Sequence, residues 1–297
     1  MRVTDLATTT AVELALNNDQ SAIGTLQDQL ASGLKLNRPS DGPTAVVQTL
    51  QLSAQAAQVQ AWSDNAELAS SWLGLANTTA NSVLDELQKA RTLLLGAMSS
   101  GTQSATTDNA IGGEVSAIRS NVLSLANTTF AGRPIFAGTA AGSEAYDANG
   151  TYQGTNTAPT MPIGRNQSVE ASVSGPALFG TDGTPSQVFS VLGQIATDLS
   201  GTTPPPESAL KADLANLDQA IGTAENGAAS LGNAAALVSS AQLTLTSTKT
   251  SLEGTIGTTE DTNIPEATTQ LKSDMTVYQS ALWAASQAVL PSLVEFL

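Results

Sequence analysis

The sequence contains no cysteine and no histidine. Without cysteine there can be no disulfide and no thiolate metal site. Without histidine the commonest general base and the commonest metal ligand are missing. Aromatic residues make up only 4% of the 297 residues, which excludes a large aromatic-rich core. Lys and Arg total 11 against 26 Asp and Glu, a formal net charge of -15. Phosphate backbones and anionic lipids repel such a chain, so neither a nucleic acid nor a membrane is an expected partner. No stretch approaches the ~18 apolar residues of a membrane-spanning helix. Residues 1–16 carry Asp5 and Glu13 and lack the apolar run of a cleavable signal peptide, so export would need another route.

Catalytic signatures are missing as well. There is no HExxH, no GxSxG, no GxxxxGK[ST] and no GxGxxG. Asp147-Ala148-Asn149-Gly150 begins like a calcium loop but lacks the third ligand residue and following glycine of that motif, and reads as a plain turn. Glu260-Asp261 reads as a solvated helix start rather than a cation site. Asn77-Thr78-Thr79 and Asn127-Thr128-Thr129 fit the N-glycosylation pattern but fall on expected helices. No catalytic residue, metal or cofactor is expected, and the chain reads as non-enzymatic.

What the sequence does contain is periodicity. Val59, Trp62, Ala66, Ala69, Leu73, Ala76, Ala80, Val83, Leu87, Ala90, Leu94 and Ala97 alternate at spacings of three and four without a break. A stripe of period 3.5 is the seam of a long packed helix, here about 57 Å long. A second stripe runs through Leu210, Leu214, Leu217, Ile221, Ala224, Ala228, Leu231, Ala235, Val238, Leu245, Leu252 and Ile256, interrupted at Gln242 and Lys249. Pro204, Pro205, Pro206 and Glu207 mark its start. A shorter stripe links Ile111, Val115, Ile118, Val122 and Leu125.

The two ends match each other in pattern. Leu16, Ile23 and Leu30 are seven apart, with Val12 and Leu26 in partner positions and Asp19 as a polar break. Towards the other end Ile264, Leu271, Tyr278 and Ala285 repeat at seven, and so do Met275, Leu282, Val289 and Phe296. Two amphipathic helices at opposite ends predict termini that meet in space. The nine residues Leu16, Ile23, Leu30, Leu271, Met275, Tyr278, Leu282, Val289 and Phe296 are the candidate assembly interface.

Between the stripes, from about residue 131 to 186, Gly, Thr, Ser and Pro rise and the heptads stop. Asn149-Gly150 between Tyr146 and Tyr152 predicts a hairpin with a type I′ turn. Ser168 to Ser174 alternates, with Val169, Ala171 and Val173 on one face. This predicts a small β-rich insertion that is separable from the helical core. The fold class expected is mainly α: a long antiparallel coiled-coil bundle with a β-rich insertion. Its parts are residues 1–42, 43–130, 131–186, 187–258 and 259–297.

The residues at both ends carry a family likeness. Ala31-Ser32-Gly33-Leu34-Lys35-Leu36-Asn37-Arg38-Pro39-Ser40-Asp41-Gly42-Pro43 resembles the segment that follows the first helix in bacterial flagellins and hook-associated proteins. Physically it is a helix stop, an extended link and a restart, with Asp41 expected to cap and Pro43 in the first turn. Gly42 stands where the family usually has an acidic or amide residue. Glu260-Asp261-Thr262-Asn263-Ile264-Pro265-Glu266-Ala267 and the closing Ser292-Leu293-Val294-Glu295-Phe296-Leu297 resemble the flagellin-type C-terminus, with Asn263 in place of the usual Asp.

Three features resemble the junction members of that family more than filament flagellin: Met1-Arg2-Val3-Thr4, the segment Thr129 to Thr139, and Tyr152-Gln153-Gly154. The resemblance implies a secreted, extracellular structural subunit of the flagellum, exported by the flagellar type III route. It implies a ring of about eleven copies. It also implies contact with flagellin on one side and with the other junction protein on the hook side, and an export chaperone. A short flagellin is the alternative. A further alternative is an adhesin or enzyme carried by the middle segment, for which Tyr146, Tyr152 and Phe179 are the candidate surface.

Overall fold

A computed structural model describes residues 2–99, 104–201 and 205–288. The elements are α1 (Arg2–Ser32), a 3-10 turn (Pro39–Asp41), α2 (Pro43–Ser99), α3 (Ala105–Ala126), β1 (Thr129–Phe130), β2 (Arg133–Pro134), β3 (Thr160–Gly164), β4 (Gln167–Glu170), α4 (Gly175–Phe179), α5 (Val188–Leu199), α6 (Glu207–Glu260) and α7 (Ile264–Ala288). The fold is mainly α, an antiparallel bundle of long helices with a small β-rich insertion. It divides into two compact units, Met1–Gln58 with Thr248–Leu297, and Val59–Ser247.

In the unit Val59–Ser247 the heptad stripe of α2 is the core. Val59, Ala66, Ala69, Leu73, Ala76, Ala80, Val83, Leu87, Ala90, Leu94 and Ala97 are all buried, and Trp62 is half-buried. Each fully buried Val or Leu in such a seam contributes roughly 1.5–3 kcal/mol. On α6, Leu210, Leu217, Ile221, Ala224, Leu231, Val238 and Leu245 are buried, while Leu214, Ala228 and Ala235 are half-buried. Ala220, Gly227 and Ala241, off the stripe, are buried too, so the covered face of α6 is wider than a single seam. Arg91 Nε of α2 meets Asp218 Oδ1 of α6 at 2.6 Å.

Helix α5 is the element that a search for long seams passes over. Val188, Phe189, Val191, Leu192, Ile195 and Leu199 give it a fully apolar face, which packs on α3. The two run antiparallel: Asn109 Nδ2 donates to Gly201 O at 3.2 Å, while Arg119 Nε donates to Phe189 O at 3.1 Å. Gly112 brings α3 close, since a Cβ there would stand 3.1 Å from Ala196 O.

The insertion holds two small antiparallel sheets, β1 with β2 and β3 with β4. Val169, Ala171 and Val173 share a buried face as the alternation predicts, although the strand itself stops at Glu170. One expectation is overturned here. Tyr146 and Tyr152 do pair antiparallel, but the turn between them is not type I′. Asn149 keeps a negative φ and Gly150 alone is left-handed, at φ 87°. The reason is Asp147, whose Oδ1 accepts from the amides of Asn149 and Thr151 at 2.9 Å each, while its carbonyl accepts from Gly150 N. That Asx turn fixes the backbone before the glycine is reached.

The insertion packs on the helical part through side chains that no strand pattern marks. Tyr146, Phe136 and Phe179 are buried with Phe189 of α5 in one aromatic cluster, with ring centroids 4.9 Å apart for Tyr146–Phe189 and 5.4 Å for Phe136–Phe179. Asn127 ties it further. Its Oδ1 accepts from the amides of Ala145 and Tyr146, and its Nδ2 donates to Tyr146 O. Asn127 therefore lies just past α3, not on it. Buried Gln187 donates to Gly150 O at 2.7 Å and caps α5 through Ser190 N.

In the other unit, α1 packs against α7. Leu26 and Gln29 line one groove with Ala267 and Gln270, and Gln20 and Ile23 line another with Tyr278 and Leu282, so the pair is antiparallel. The described parts of the first and last helices pair, as their matching patterns predict. Asp41 does not cap α2, whose first residue is Pro43 with Gly42 before it. Its Oδ2 instead accepts from the amides of Asn37 and Arg38, at 3.1 and 2.8 Å, and so closes the turn ahead of the helix. Glu260-Asp261 is a helix end and link, not a helix start, because the following Pro265 is accommodated only in the first turn of α7. Asn263 begins α7, with Glu266 N donating to its Oδ1 at 3.4 Å.

Candidate assembly surface

The terminal pair is thinly covered. Leu16, Ile23 and Leu30 on α1 and Leu271 and Tyr278 on α7 are half-buried, and Ile23 lines a groove with Tyr278. Met275 and Leu282 remain 42% and 43% exposed. Val289 and Phe296 lie outside the described residues. Among residues 10–32 of α1 none is fully buried, and on the described part of α7 only Ala267 is.

More apolar surface is present than the heptads mark. Trp283 is 68% exposed and Leu14 60%, and Val12, Ile264 and Val277 are also exposed. On an α-helix each residue turns the direction by about 100°, so Trp283 points about 100° from Leu282, and Val277 about 140° to the other side. Helix α1 can cover one of these directions only. The heptad pattern identifies the α1-facing stripe and is blind to the rest, because residues on three faces of a helix have no common period. Scattered apolar residues on a helix otherwise rich in Gln, Thr and Ser are the signal that could have identified them.

Elsewhere the chemistry is structural. Among the described residues no group of three potential ligands could hold a metal ion, and no helix is long and apolar enough to cross a membrane. The aromatic candidates for a binding surface in the insertion are unavailable to a partner: Tyr146 and Phe179 are fully buried and Tyr152 half-buried. Asp213 on α6 is only 3% exposed, and its Oδ2 has no hydrogen-bond partner. Burial, with the Asp198 carboxylate beside it, raises its pKa from 3.8 to about 6.

Residues 3–141 match the model of the bacterial flagellin N-terminal helical region. A curated relative, flagellar hook-associated protein 3 of Salmonella typhimurium, is 26% identical over 168 residues, covering 56% of this chain and 53% of that protein. The match thus spans about half of that relative's length. Among solved structures, FlgL of Bacillus cereus is similar with a TM-score of 0.60 at 23% identity, covering 70% of this chain and 99% of that one. FlgL of Xanthomonas campestris gives 0.61 at 18% identity, covering 69% and 99%. Hook-associated protein 3 of Legionella pneumophila gives 0.60 at 13% identity, covering 70% and 98%.

The resemblance drawn from the sequence is matched in the N-terminal region and in the fold. The chain carries a flagellin-type N-terminal helical region and shares the fold of flagellar hook-associated proteins. Within that class, the likeness is to hook-associated protein 3.

Proposed function

We propose that this protein is a structural subunit of the bacterial flagellum, the adapter that joins the hook, through the other junction protein, to the flagellin filament. Residues 1–42 and 259–297 form its inner part, 43–130 and 187–258 its long-helix part, and 131–186 its outer part. The protein is secreted through the flagellar export route, with a chaperone, and assembles as a ring of about eleven copies. The observation that carries this reading is the terminal pair, whose apolar side chains point in more directions than one neighbouring helix can cover. Leu16, Ile23, Leu30, Leu271, Met275, Tyr278, Leu282, Val289 and Phe296 are the assembly interface in this reading, and neighbouring subunits cover what the α1–α7 pair leaves open. Exposed apolar patches of this kind mark interaction sites.

A short flagellin is the second reading, because the N-terminal match is to a region named for flagellin itself. Copy number separates the two. Labelled protein counted on isolated flagella should give about one ring's worth at a single site near the hook. Label along the whole filament, in thousands of copies, would establish the flagellin reading instead.

A further inference from the structure

Two links, one from each end of the chain, meet beside the terminal pair. Leu34 forms an antiparallel bridge with Asp261. Lys35 N donates to Glu260 O at 2.5 Å, and Thr262 N donates to Gly33 O at 2.9 Å. Gly33, at φ 75°, turns the chain out of α1 in the left-handed conformation that lets its carbonyl accept this bond. The N-terminal link is locked further by Gln29 Nε2 on Lys35 O at 3.1 Å and Asn37 Nδ2 on Leu34 O at 3.0 Å. On the other strand Asp261 N donates to Gly257 O at 2.8 Å. Main-chain groups of both links are thus committed to one another rather than to water.

We infer that this two-stranded ladder is a latch that makes the closing of α1 and of α7 a single event. The two helices come from opposite ends of the chain, and bringing such ends together has a large loop-closure cost. The ladder meets that cost at the inner end of the pair, so each helix starts its packing beside the other. Because α1 is thinly buried, it has little to hold it apart from α7. Release of either link then frees both helices, and an incoming subunit meets the pair either closed or open, never half-formed.

The test uses the full-length free chain and needs no flagellum, so its outcome is independent of the adapter reading. Thr262→Pro deletes the donor to Gly33, whereas Thr262→Ala keeps the amide and removes only a hydroxyl that makes no hydrogen bond. Lys35→Pro and Lys35→Ala are the matching variants on the other strand. Hydrogen exchange is read over residues 10–32, over 264–286, and over the α2 core as a control for global folding. Thr262→Pro should lower protection along α1, the helix across the ladder from it in the chain, by about five- to tenfold, and Lys35→Pro should do the same along α7. Both Ala variants should match the parent chain. Proline effects confined to the adjacent helix would overturn the latch, and so would a parent chain whose α1 shows no protection at all.

Discussion

Replacing Leu282 by Asp separates folding from assembly. Leu282 sits at the edge of the α1–α7 seam with 43% of its surface still open. Covering a whole Leu is worth roughly 1.5–3 kcal/mol, so the part left for a neighbour contributes about 1 kcal/mol per copy. That loss alone would weaken a lattice without abolishing it. The carboxylate is the larger effect, since an ionised Asp enclosed by neighbouring helices has no cation among the groove residues Gln20, Ile23, Gly24, Gln27, Met275, Tyr278 and Gln279. Its desolvation costs several kcal/mol per copy even after relaxation, or tens of kcal/mol around a ring. In the free chain the same carboxylate can stay in water. Leu282→Asp should therefore keep the parent melting temperature within a few degrees, be exported normally, and fail to restore filaments when expressed in a strain lacking the gene. Normal filaments would refute the placement of residue 282 in an interface, and a large drop in melting temperature would refute the claim that the core does not depend on it.

Three other outcomes follow from the unit Val59–Ser247. The raised pKa of Asp213 means its carboxylate destabilises the fold above about pH 6, a cost relieved as pH falls from 6 towards 3.8. Asp213→Asn should therefore stabilise by about 1–2 kcal/mol at pH 7 and by almost nothing near pH 4, as read by denaturant melts at both values. Gly150→Ala places a Cβ 2.4 Å from Phe189 Cβ at a left-handed φ, and should destabilise by about 2–4 kcal/mol in thermal melts. Replacing residues 140–183 by a Gly/Ser linker removes Tyr146 and Phe179 from their cluster and uncovers Phe189. It should broaden or lower the melting transition, and an unchanged transition would show that the aromatic cluster contributes little.

The long helices were legible because their packing repeats. Twelve successive stripe positions on α2 are apolar, and eleven of them are buried with the twelfth, Trp62, half-buried. The pairing of α1 with α7 was legible for the same reason, from the sevenfold repeats in each. The insertion was legible only as β-rich and turn-rich. Its packing depends on single side chains bonded to distant backbone, such as Asn127 to Tyr146 and Gln187 to Gly150, and on four aromatics spread from Phe136 to Phe189. None of these has a period. Helix α5 does carry a pattern of spacing three and four, but over 12 residues it is too short to register as a seam. The proposed assembly surface was half legible: the α7 stripe facing α1 repeats, while Trp283 and Val277 of α7 and Leu14 of α1 share no period and are recognisable only from their exposure in the pair.

The adapter role is tested most directly by deleting the gene and examining the cells and the medium. An adapter predicts hooks without filaments, unpolymerised flagellin in the medium, and recovery of filaments when the intact chain is supplied. Filaments of normal length on intact hooks in the deletion strain would contradict it.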